Sequence, residues 1–364
     1  MTPHDPHRLM RSLSTRRVEV PFSARFHFAT PGRNPGGTPV ERLRMVRYGG
    51  PGMTAFDHRA VMLDEVLEIL VAAPPGVVLD ATVGGAGHAA ALLARAPHLS
   101  VVGVDRDPDA VEAASGVLAP FGERARVARG RFDEIAPLLD TLGVGSLSGA
   151  LFDLGVSSPQ LDRPERGFSY RAAGPLDMRM DPGQALTAAD VVNGWTPAEL
   201  AELFREHGEA RFAGRIARAV VAARPISSTI ELAEVVKAAI PAAARRRGGH
   251  PARRVFQAVR VAVNDELSQL PVALGVALGR LAPGGRAVVV SYHSGEDRLV
   301  KEVFRREATG GCVCPPGLPC VCGARPTVRL LTRGARKPAA AEVSANRRAD
   351  SARLRAVEAL GEAP

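Results

Sequence analysis

The feature that most constrains this chain is a pair of apolar runs that each end in an acid. The first run ends at Asp80 and leads into the glycine-rich turn 82–87, and the second, after a helix-length interval, ends at Asp105. A strand, a glycine-rich turn, a helix and a second strand with a terminal acid are typical of a nucleotide-binding βαβ unit. The sequence therefore predicts a nucleoside-bearing cofactor at one end of a parallel sheet.

The turn after Asp80 leaves two classes of cofactor open. Residues 85–90 fit the G-x-G-x-x-A pattern of dinucleotide-binding turns, where glycine lets a ligand approach the backbone. Asp105 follows Gly87 by 18 residues and can accept hydrogen bonds from both ribose hydroxyls. Asp80 would repel a pyrophosphate but can hold the ammonium group of an amino acid. This favours S-adenosylmethionine, with a nicotinamide cofactor as the distant alternative.

Composition separates the ends of the chain from its body. The 364 residues are 46% hydrophobic, which suits one large or two smaller domains, and no apolar run approaches the roughly 20 residues that span a bilayer. The net charge is +9, but residues 1–50 hold nine Arg against three acids, and residues 329–364 hold eight Lys or Arg against four. The body is nearly neutral, so any RNA contact there must come from local Arg clusters. We expect a soluble, cytoplasmic protein and leave its oligomeric state open, a homodimer included.

Strand and helix patterns alternate after residue 60 and are interrupted once. Residues 1–52 lack periodicity and are predicted to be disordered; a transit peptide or a translation start at Met45 or Met53 are the alternatives. The predicted strands and helices before the interruption are helix 62–71, strand 77–80, helix 88–96, strand 101–105, helix 108–118, strand 127–129 and strand 150–153.

The interruption spans residues 160–259, where loops and helices occur without a convincing strand. The helices predicted there include 197–206, 211–223 and 229–239. After it we predict one helix over 255–281, a strand at 286–291 and a helix at 297–306. This pattern predicts a Rossmann-like, doubly wound α/β domain formed by residues 53–159 and 260–364, with an all-helical insertion that recognises the substrate.

The fourth predicted strand end, residues 153–162, reads Asp-Leu-Gly-Val-Ser-Ser-Pro-Gln-Leu-Asp. In a doubly wound sheet this loop would face the reactive end of the cofactor, although an ordinary Ser-Pro turn is the alternative. Further motifs are Glu-Arg-Gly-Phe-Ser-Tyr at 165–170, Gly-Pro-Leu-Asp-Met-Arg-Met-Asp at 174–181, Phe-Gln-Ala-Val-Arg at 256–260 and Tyr-His-Ser-Gly-Glu-Asp-Arg at 292–298.

In their order and number these motifs resemble the bacterial 16S rRNA (cytosine-N4)-methyltransferases called RsmH or MraW, over about residues 57–360. The resemblance implies a class I S-adenosylmethionine-dependent methyltransferase fold with an inserted all-helical domain. It also implies methylation of the exocyclic N4 amine of a cytidine in the decoding centre of 16S rRNA, within the small ribosomal subunit. A non-catalytic cofactor-binding ribosome-assembly factor is the alternative.

The resemblance implies that residues 86–88 line the methionine and ribose side of the cofactor, that Asp105 holds the ribose, and that Phe132 packs against the adenine. Ala86 stands where the family usually has glycine. With Asp80 added from the argument above, the candidate cofactor-binding residues are Asp80, Gly84, Ala86, Gly87, His88, Asp105, Phe132, Asp153 and Gln160.

The chemistry of a cytosine amine indicates what the loop after Asp153 has to supply. The lone pair of this amine is delocalised into the ring, so hydrogen-bond acceptors that favour sp³ character would make it a better nucleophile. Asp153, Ser157, Ser158 and the backbone beside Pro159 are the candidate catalytic groups. We expect alignment of the reacting atoms to give most of the acceleration, with no covalent enzyme–base adduct and no catalytic metal.

Two sets of residues are candidates for contact with RNA. Asp177 and Arg179 would line the target pocket or form a structural ion pair, and His293 would face the substrate or cap a helix. The best basic cluster of the body, expected to contact phosphates, is Arg245, Arg246, Arg247, Arg253 and Arg254, with Arg260 beside it. The second cluster is Arg347, Arg348, Arg353 and Arg355.

All four cysteines of the chain lie between residues 312 and 322. Cys312 and Cys314 form one C-x-C pair, and Cys320 and Cys322 form another. Four thiolates can bind zinc tetrahedrally, but this separation is much shorter than in common zinc ribbons. The spacing therefore favours a reduced loop over a zinc site.

Overall fold

The computed structural model describes residues 60–207, 211–245, 250–315 and 321–361. It also gives the backbone of two short antiparallel strands, β1 (Arg47–Tyr48) and β2 (Phe56–Asp57). Apart from β1, the predicted disorder of residues 1–52 lies outside the described residues. No helix in the described ranges has the length and apolar character needed to cross a membrane.

A seven-stranded sheet forms the centre of the described structure. Its strands are β3 (Gly76–Asp80), β4 (Leu99–Asp105), β5 (Ala125–Arg129), β6 (Leu147–Asp153), β7 (Leu281–Ser291), β8 (Val328–Leu330) and β9 (Arg353–Ala359). The order is β5-β4-β3-β6-β7-β9-β8, with the first five strands parallel and β9 antiparallel to both of its neighbours. This is the doubly wound order 3-2-1-4-5-6 with one reversed strand inserted before the last. The predicted α/β fold is confirmed.

Helices cover both faces of this sheet and form a separate layer within residues 158–264. In chain order they are α1 (Leu63–Leu70), α2 (Gly87–Arg95), α3 (Pro108–Leu118), α4 (Ile135–Thr141), α5 (Ser158–Asp162), α6 (Ala188–Gly194), α7 (Pro197–His207), α8 (Ala213–Ala222), α9 (Thr229–Ala239), α10 (Ala242–Arg245), α11 (Ala252–Asn264), α12 (Glu266–Gly279), α13 (Ser294–Thr309) and α14 (Ala340–Ala345).

Alternate residues of the central strands enter different apolar clusters, as the two-residue period of a strand requires. Val78 and Val101 pack on one face, where α1 and α2 contribute Leu67 and Leu93. On the other face lie Leu79 and Phe152, together with residues of α4, α12 and α13. Burial on both faces explains why these strands appear in the sequence as continuous apolar runs.

The inserted segment forms an apolar core of its own. Helices α6 to α9 and α11 supply most of it, including Val191, Phe204, Ile216, Leu232 and Val259. Within its described part the segment contains helices and loops but no strand, as predicted. The boundaries of the insertion at residues 160 and 259 stay a prediction. Helix α11 continues past residue 259 and adds Val263 to the core of the insertion.

The prediction of one helix over 255–281 was wrong. The chain breaks between α11 and α12 at Asp265, which is left-handed with φ 50° and ψ 41°. Asn264 is fully buried there: its amide donates to the carbonyl of Met178 and accepts from the Met180 N–H, both at 2.8 Å. A helical pattern in sequence cannot report this break, because both flanking segments keep helical periodicity.

The C-terminal strands were missing from the sequence prediction. β9 pairs antiparallel with β7, and β8 closes the sheet beside it. β7 is also longer than predicted, because it begins at Leu281 and a register shift opposite Leu147 accommodates its first residues.

Candidate active site

Three carboxylates lie at the carboxyl edge of adjacent strands. Asp80, Asp105 and Asp153 end β3, β4 and β6, and β3 lies between the other two strands. Burial raises the pKa of Asp80 to about 7, with further increases from the charges of Asp153 and Asp105 against a hydrogen bond from Thr82. Burial likewise raises the pKa of Asp105 to about 6. This edge concentrates negative charge, so a cationic ligand would be stabilised there.

The turn between β3 and α2 is held against the end of β4. The Gly84 N–H donates to Oδ2 of Asp105 at 3.0 Å, and the Asp107 N–H donates to Oδ1 at 2.9 Å. Ala86 is buried and left-handed, with φ 60° and ψ 21°, immediately before α2 begins at Gly87. A non-glycine residue in this conformation costs about 1 kcal/mol. The departure from the family's usual glycine therefore falls where the backbone favours glycine.

Asp153 is surrounded by polar contacts from three other segments. The Tyr292 hydroxyl donates to Asp153 Oδ1 at 2.7 Å, and the backbone N–H of Asp153 donates to Thr82 Oγ1 at 2.6 Å. His88 Nδ1 lies 3.8 Å from Oδ2, while its Nε2 lies 3.0 Å from the Val61 carbonyl. Because a carbonyl can only accept, Nε2 carries the hydrogen. The structure thus brings Asp80, His88, Asp105 and Asp153 to one edge of the sheet, where Tyr292 and Thr82 join them. The roles of these residues toward a cofactor stay predictions.

Tyr292 opens the motif 292–298, and the sequence alone predicted no role for it. Burial and the nearby Asp153 raise the pKa of Tyr292 well above its ordinary value, so the phenol stays protonated and donates. Its ring packs against Gly155, where a Cβ would lie 3.3 Å from a ring carbon. Gly155 is left-handed with φ 98°, which also favours glycine. Tyr292 therefore supports both the carboxylate of Asp153 and the loop that follows.

The loop 153–162 is fastened to the segment after β4 through Gln160. This side chain is buried; its Oε1 accepts from the Ser157 N–H at 3.0 Å and its Nε2 donates to Asp107 Oδ2 at 2.9 Å. Arg166 Nη2 binds the same Asp107 oxygen at 2.9 Å. Gln160 therefore holds the loop in place through its side chain.

The far end of the loop is held by the C-terminal segment. Arg348 Nη1 donates to Ser158 Oγ, and Nη2 lies 2.6 Å from Asp162 Oδ1. Nearby, Glu342 accepts from the Met62 N–H at 2.7 Å. Arg348 was predicted to contact RNA, but the structure places it against the candidate catalytic loop.

Phe132 lies just beyond β5, in the position that the resemblance implied for an adenine contact. Its ring is partly exposed and packs edge to face on Phe152 at a centroid distance of 5.8 Å. Its role toward a cofactor stays a prediction.

Three of the residues assigned to the RNA side make structural contacts within the protein. Arg179 forms a bidentate pair with Asp177 at 2.9 and 2.8 Å and donates to the Gln184 carbonyl. His293 caps α13, because its Nδ1 accepts from the Glu296 N–H at 3.3 Å, and its ring is largely buried. These contacts correspond to the ion-pair and helix-cap alternatives raised by the sequence.

The basic clusters differ in how far their members reach solvent. Arg253 and Arg254 are exposed on α11. Arg245 ends α10, but its side chain lies outside the described residues, as do Arg246 and Arg247. In the second cluster Arg355 pairs bidentately with Asp297 at 2.8 and 2.9 Å, while Arg347 is exposed.

A buried charge network joins the insertion to the sheet domain. Arg260, near the end of α11, lies 2.8 Å from Glu266 and 3.8 Å from Glu296, which lies 3.0 Å from His293 Nε2. Burial raises the pKa of Glu266 against the charge of Arg260. Burial also opposes ionisation of Glu296, but His293 and Arg260 outweigh it and lower its pKa. Arg260 therefore serves this network.

The sheet order and the acid-lined edge define a class I S-adenosylmethionine-dependent methyltransferase. The donor set fits that cofactor, because buried acids with raised pKa values suit a ligand that carries an ammonium and a sulfonium. A family model described as the MraW methylase family matches residues 55–360. The chain belongs to this family.

Two named relatives and one solved structure are similar to this chain. Two proteins named ribosomal RNA small subunit methyltransferase H are each 52% identical to this chain. The match to the protein from Symbiobacterium thermophilum covers 84% of this chain and 98% of that protein. The match to the protein from Thermobifida fusca covers 84% of this chain and 94% of that protein. A solved rRNA methylase from Streptococcus thermophilus has a TM-score of 0.37 at 14% identity, covering 84% of this chain and 99% of its own.

Proposed function

We propose that this protein transfers the methyl group of S-adenosylmethionine to the exocyclic N4 amine of a cytidine in the decoding centre of 16S rRNA, in the cytoplasm. The observation that carries the proposal is the position of Asp153. It ends β6 beside the acid-lined edge, is fixed by Tyr292, and opens the loop that contains Ser157 and Ser158. The name of these two relatives supports a small-subunit rRNA substrate.

The residues at the edge of the sheet would hold the cofactor. Asp80 suits its ammonium group and Asp105 its ribose hydroxyls, with the turn at Gly84 to His88 between them. Phe132 lies beyond the neighbouring strand, where an adenine would extend. When bound, the cofactor supplies a methyl group on a positively charged sulfur, which makes the transfer intrinsically favourable.

The amine of the target base would be bound by acceptors at the end of β6. The candidate acceptors are the carboxylate of Asp153 and the hydroxyls of Ser157 and Ser158, of which Ser158 already accepts a hydrogen bond from Arg348. By accepting N–H hydrogen bonds they draw the amine lone pair out of conjugation with the ring. Tyr292 holds Asp153 in one orientation, so the amine meets an acceptor that needs no rearrangement. Orientation of this kind accounts for much of an enzyme's rate acceleration.

The chemistry requires neither a covalent adduct nor a metal at this site. N4 is itself the nucleophile, and an acceptor for one proton completes the reaction. A mechanism-based cytosine analogue should therefore not be trapped on the protein. Isolation of such an adduct would refute this mechanism.

The RNA strand must deliver an unstacked base, and contacts with the flanking phosphates would hold it there. Arg253 and Arg254 are exposed on α11, which belongs to the insertion and also carries Arg260 of the buried network. Neutralising both with Gln should weaken RNA binding and reduce its dependence on salt, while leaving cofactor affinity unchanged. Arg305→Gln, an exposed arginine on α13, is the matched control.

The deciding experiment is nucleoside mass spectrometry of small-subunit rRNA before and after treatment with the protein and S-adenosylmethionine. The substrate is offered both as naked 16S rRNA and as the assembled subunit, from cells that lack the modification. We expect new N4-methylcytidine from the native protein and none from Asp153→Asn. If the native protein binds the cofactor but forms no N4-methylcytidine on either substrate, the assembly-factor alternative is favoured.

A further inference from the structure

The segment between α13 and β8 folds back on itself away from the candidate active site. The Cys312 N–H donates to the Thr309 carbonyl at 3.1 Å, and the Thr327 N–H donates to the Glu307 carbonyl at 2.9 Å. Both ends of the segment are therefore bonded to the last turn of α13. That helix has 16 residues, so its last turn is about 24 Å from its His293 cap beside the site.

Three cysteines of this segment bring their sulfur atoms together. The Sγ atoms of Cys312, Cys314 and Cys322 all lie within 4.8 Å of one another. The Sγ atoms of Cys312 and Cys322 are 3.6 Å apart, far longer than the roughly 2.05 Å of a disulfide. Tetrahedral zinc with bonds of about 2.3 Å requires sulfur atoms about 3.8 Å apart. The distance between Cys312 Sγ and Cys322 Sγ is close to that value, and neither sulfur lies more than 4.8 Å from Cys314 Sγ.

Packing does not explain this convergence. Val313 is 86% exposed and Val321 is 89% exposed, so the apolar side chains next to the cysteines bury almost nothing. The Val321 N–H instead donates to Cys314 Sγ at 3.5 Å, a contact that stabilises a thiolate. The described part of this segment has no apolar core, and a short segment of that kind is commonly ordered by a structural metal.

We propose that Cys312, Cys314 and Cys322 bind a structural zinc ion that fixes the return of the chain from α13 to the edge strand β8. Three thiolates are soft donors and select zinc over magnesium or calcium. The sequence alone favoured a reduced loop, because the spacing between the cysteine pairs is short, and it is the sulfur geometry that reverses this preference. Cys320 lies outside the described residues and is not counted as a ligand.

The first test is the metal content of the full-length protein, purified without chelator and without added metal. We expect about one zinc per chain by plasma mass spectrometry. Replacement by Co²⁺ should produce thiolate-to-cobalt charge-transfer bands in the near ultraviolet and the intense visible bands of a tetrahedral ion. Cys314→Ser should lose both the zinc and these bands, whereas Val313→Ser, an exposed neighbour in the same segment, should retain them. Zinc at background in the native protein, or an unchanged cobalt spectrum in Cys314→Ser, would overturn the proposal.

A second measurement serves in case Cys314→Ser folds poorly. Native protein is treated with a mercurial reagent in the presence of a chromogenic zinc indicator, and amide hydrogen exchange is followed over residues 310–330. We expect release of zinc together with faster exchange in this segment, and no change in the loop 153–162. Release of no zinc, or an intramolecular disulfide found by mass spectrometry of the freshly purified protein, would overturn the proposal.

Discussion

Replacing Asp80 with Asn tests the electrostatics of the site. We expect this variant to have a higher free energy of unfolding but a lower affinity for S-adenosylmethionine. The pKa of Asp80 is about 7 in the folded protein against an ordinary value of 3.8. At about 1.4 kcal/mol per unit, this shift disfavours the folded state by about 4 kcal/mol once the group is ionised. The folded protein holds the proton more tightly than the unfolded chain does. The free energy of unfolding should therefore fall as the pH rises from about 4 to about 7.

Asp80→Asn removes the charge and keeps the acceptor. The amide oxygen can still accept from the Thr82 N–H, which lies 3.3 Å from the carboxylate. In cofactor-free protein at about pH 8, we expect the variant to be more stable than the native protein by about 1 to 4 kcal/mol, with a flatter pH dependence. Binding of S-adenosylmethionine should instead weaken by about 10- to 100-fold, because a charge-assisted hydrogen bond contributes about 1.5 to 3 kcal/mol.

The assay combines urea unfolding of the cofactor-free protein at about pH 5 and about pH 8 with titration calorimetry of the cofactor at both values. Native affinity should rise with pH as Asp80 and Asp105 ionise. Asp133→Asn, on an exposed turn, is the control and should change neither quantity. If Asp80→Asn unfolds at lower urea at the higher pH and binds the cofactor normally, Asp80 is only a structural acceptor and the reasoning fails.

Two further substitutions test how the loop 153–162 is supported. Tyr292→Phe removes the donor to Asp153 and should lower the single-turnover rate by about 10- to 100-fold, while the cofactor Kd changes by less than about threefold; an equal loss in both would indicate a collapsed pocket. Arg348→Ala releases Ser158, but its ion pair is exposed, so we expect only about a 3- to 10-fold loss in kcat/KM for RNA. If Arg347→Ala causes the same loss, Arg348 acts by attracting phosphates.

The sequence could predict the acid-lined edge of the sheet because the sequence signals for that edge are local. An apolar strand, the acid at its end and the following turn are contiguous, and the parallel sheet then brings Asp80, Asp105 and Asp153 to one edge. The helices of the insertion were predictable for the same reason. Local periodicity fixes the existence of such elements but gives only approximate ends, as α8 (Ala213–Ala222) against the predicted 211–223 illustrates.

Arginine partners could not be predicted in this way. Arg348 meets Ser158 across 190 positions of sequence, and Arg355 meets Asp297 across 58. The sequence alone does not show whether an arginine binds a phosphate or a carboxylate within the protein. Only the antiparallel return of β9 along β7 decides between the two for Arg355.

The junction at Asp265 connects the insertion to the candidate catalytic groups. Because α11 stops there, Arg260 can reach both Glu266 and Glu296. Glu296 in turn accepts from the Tyr292 N–H at 2.7 Å, and the Tyr292 hydroxyl fixes Asp153. A continuous helix through residues 255–281 would carry Glu266 onward in the direction of α11 and separate these charges. The break is therefore what allows the helical insertion to share a buried network with the residue that orients the proposed acceptor.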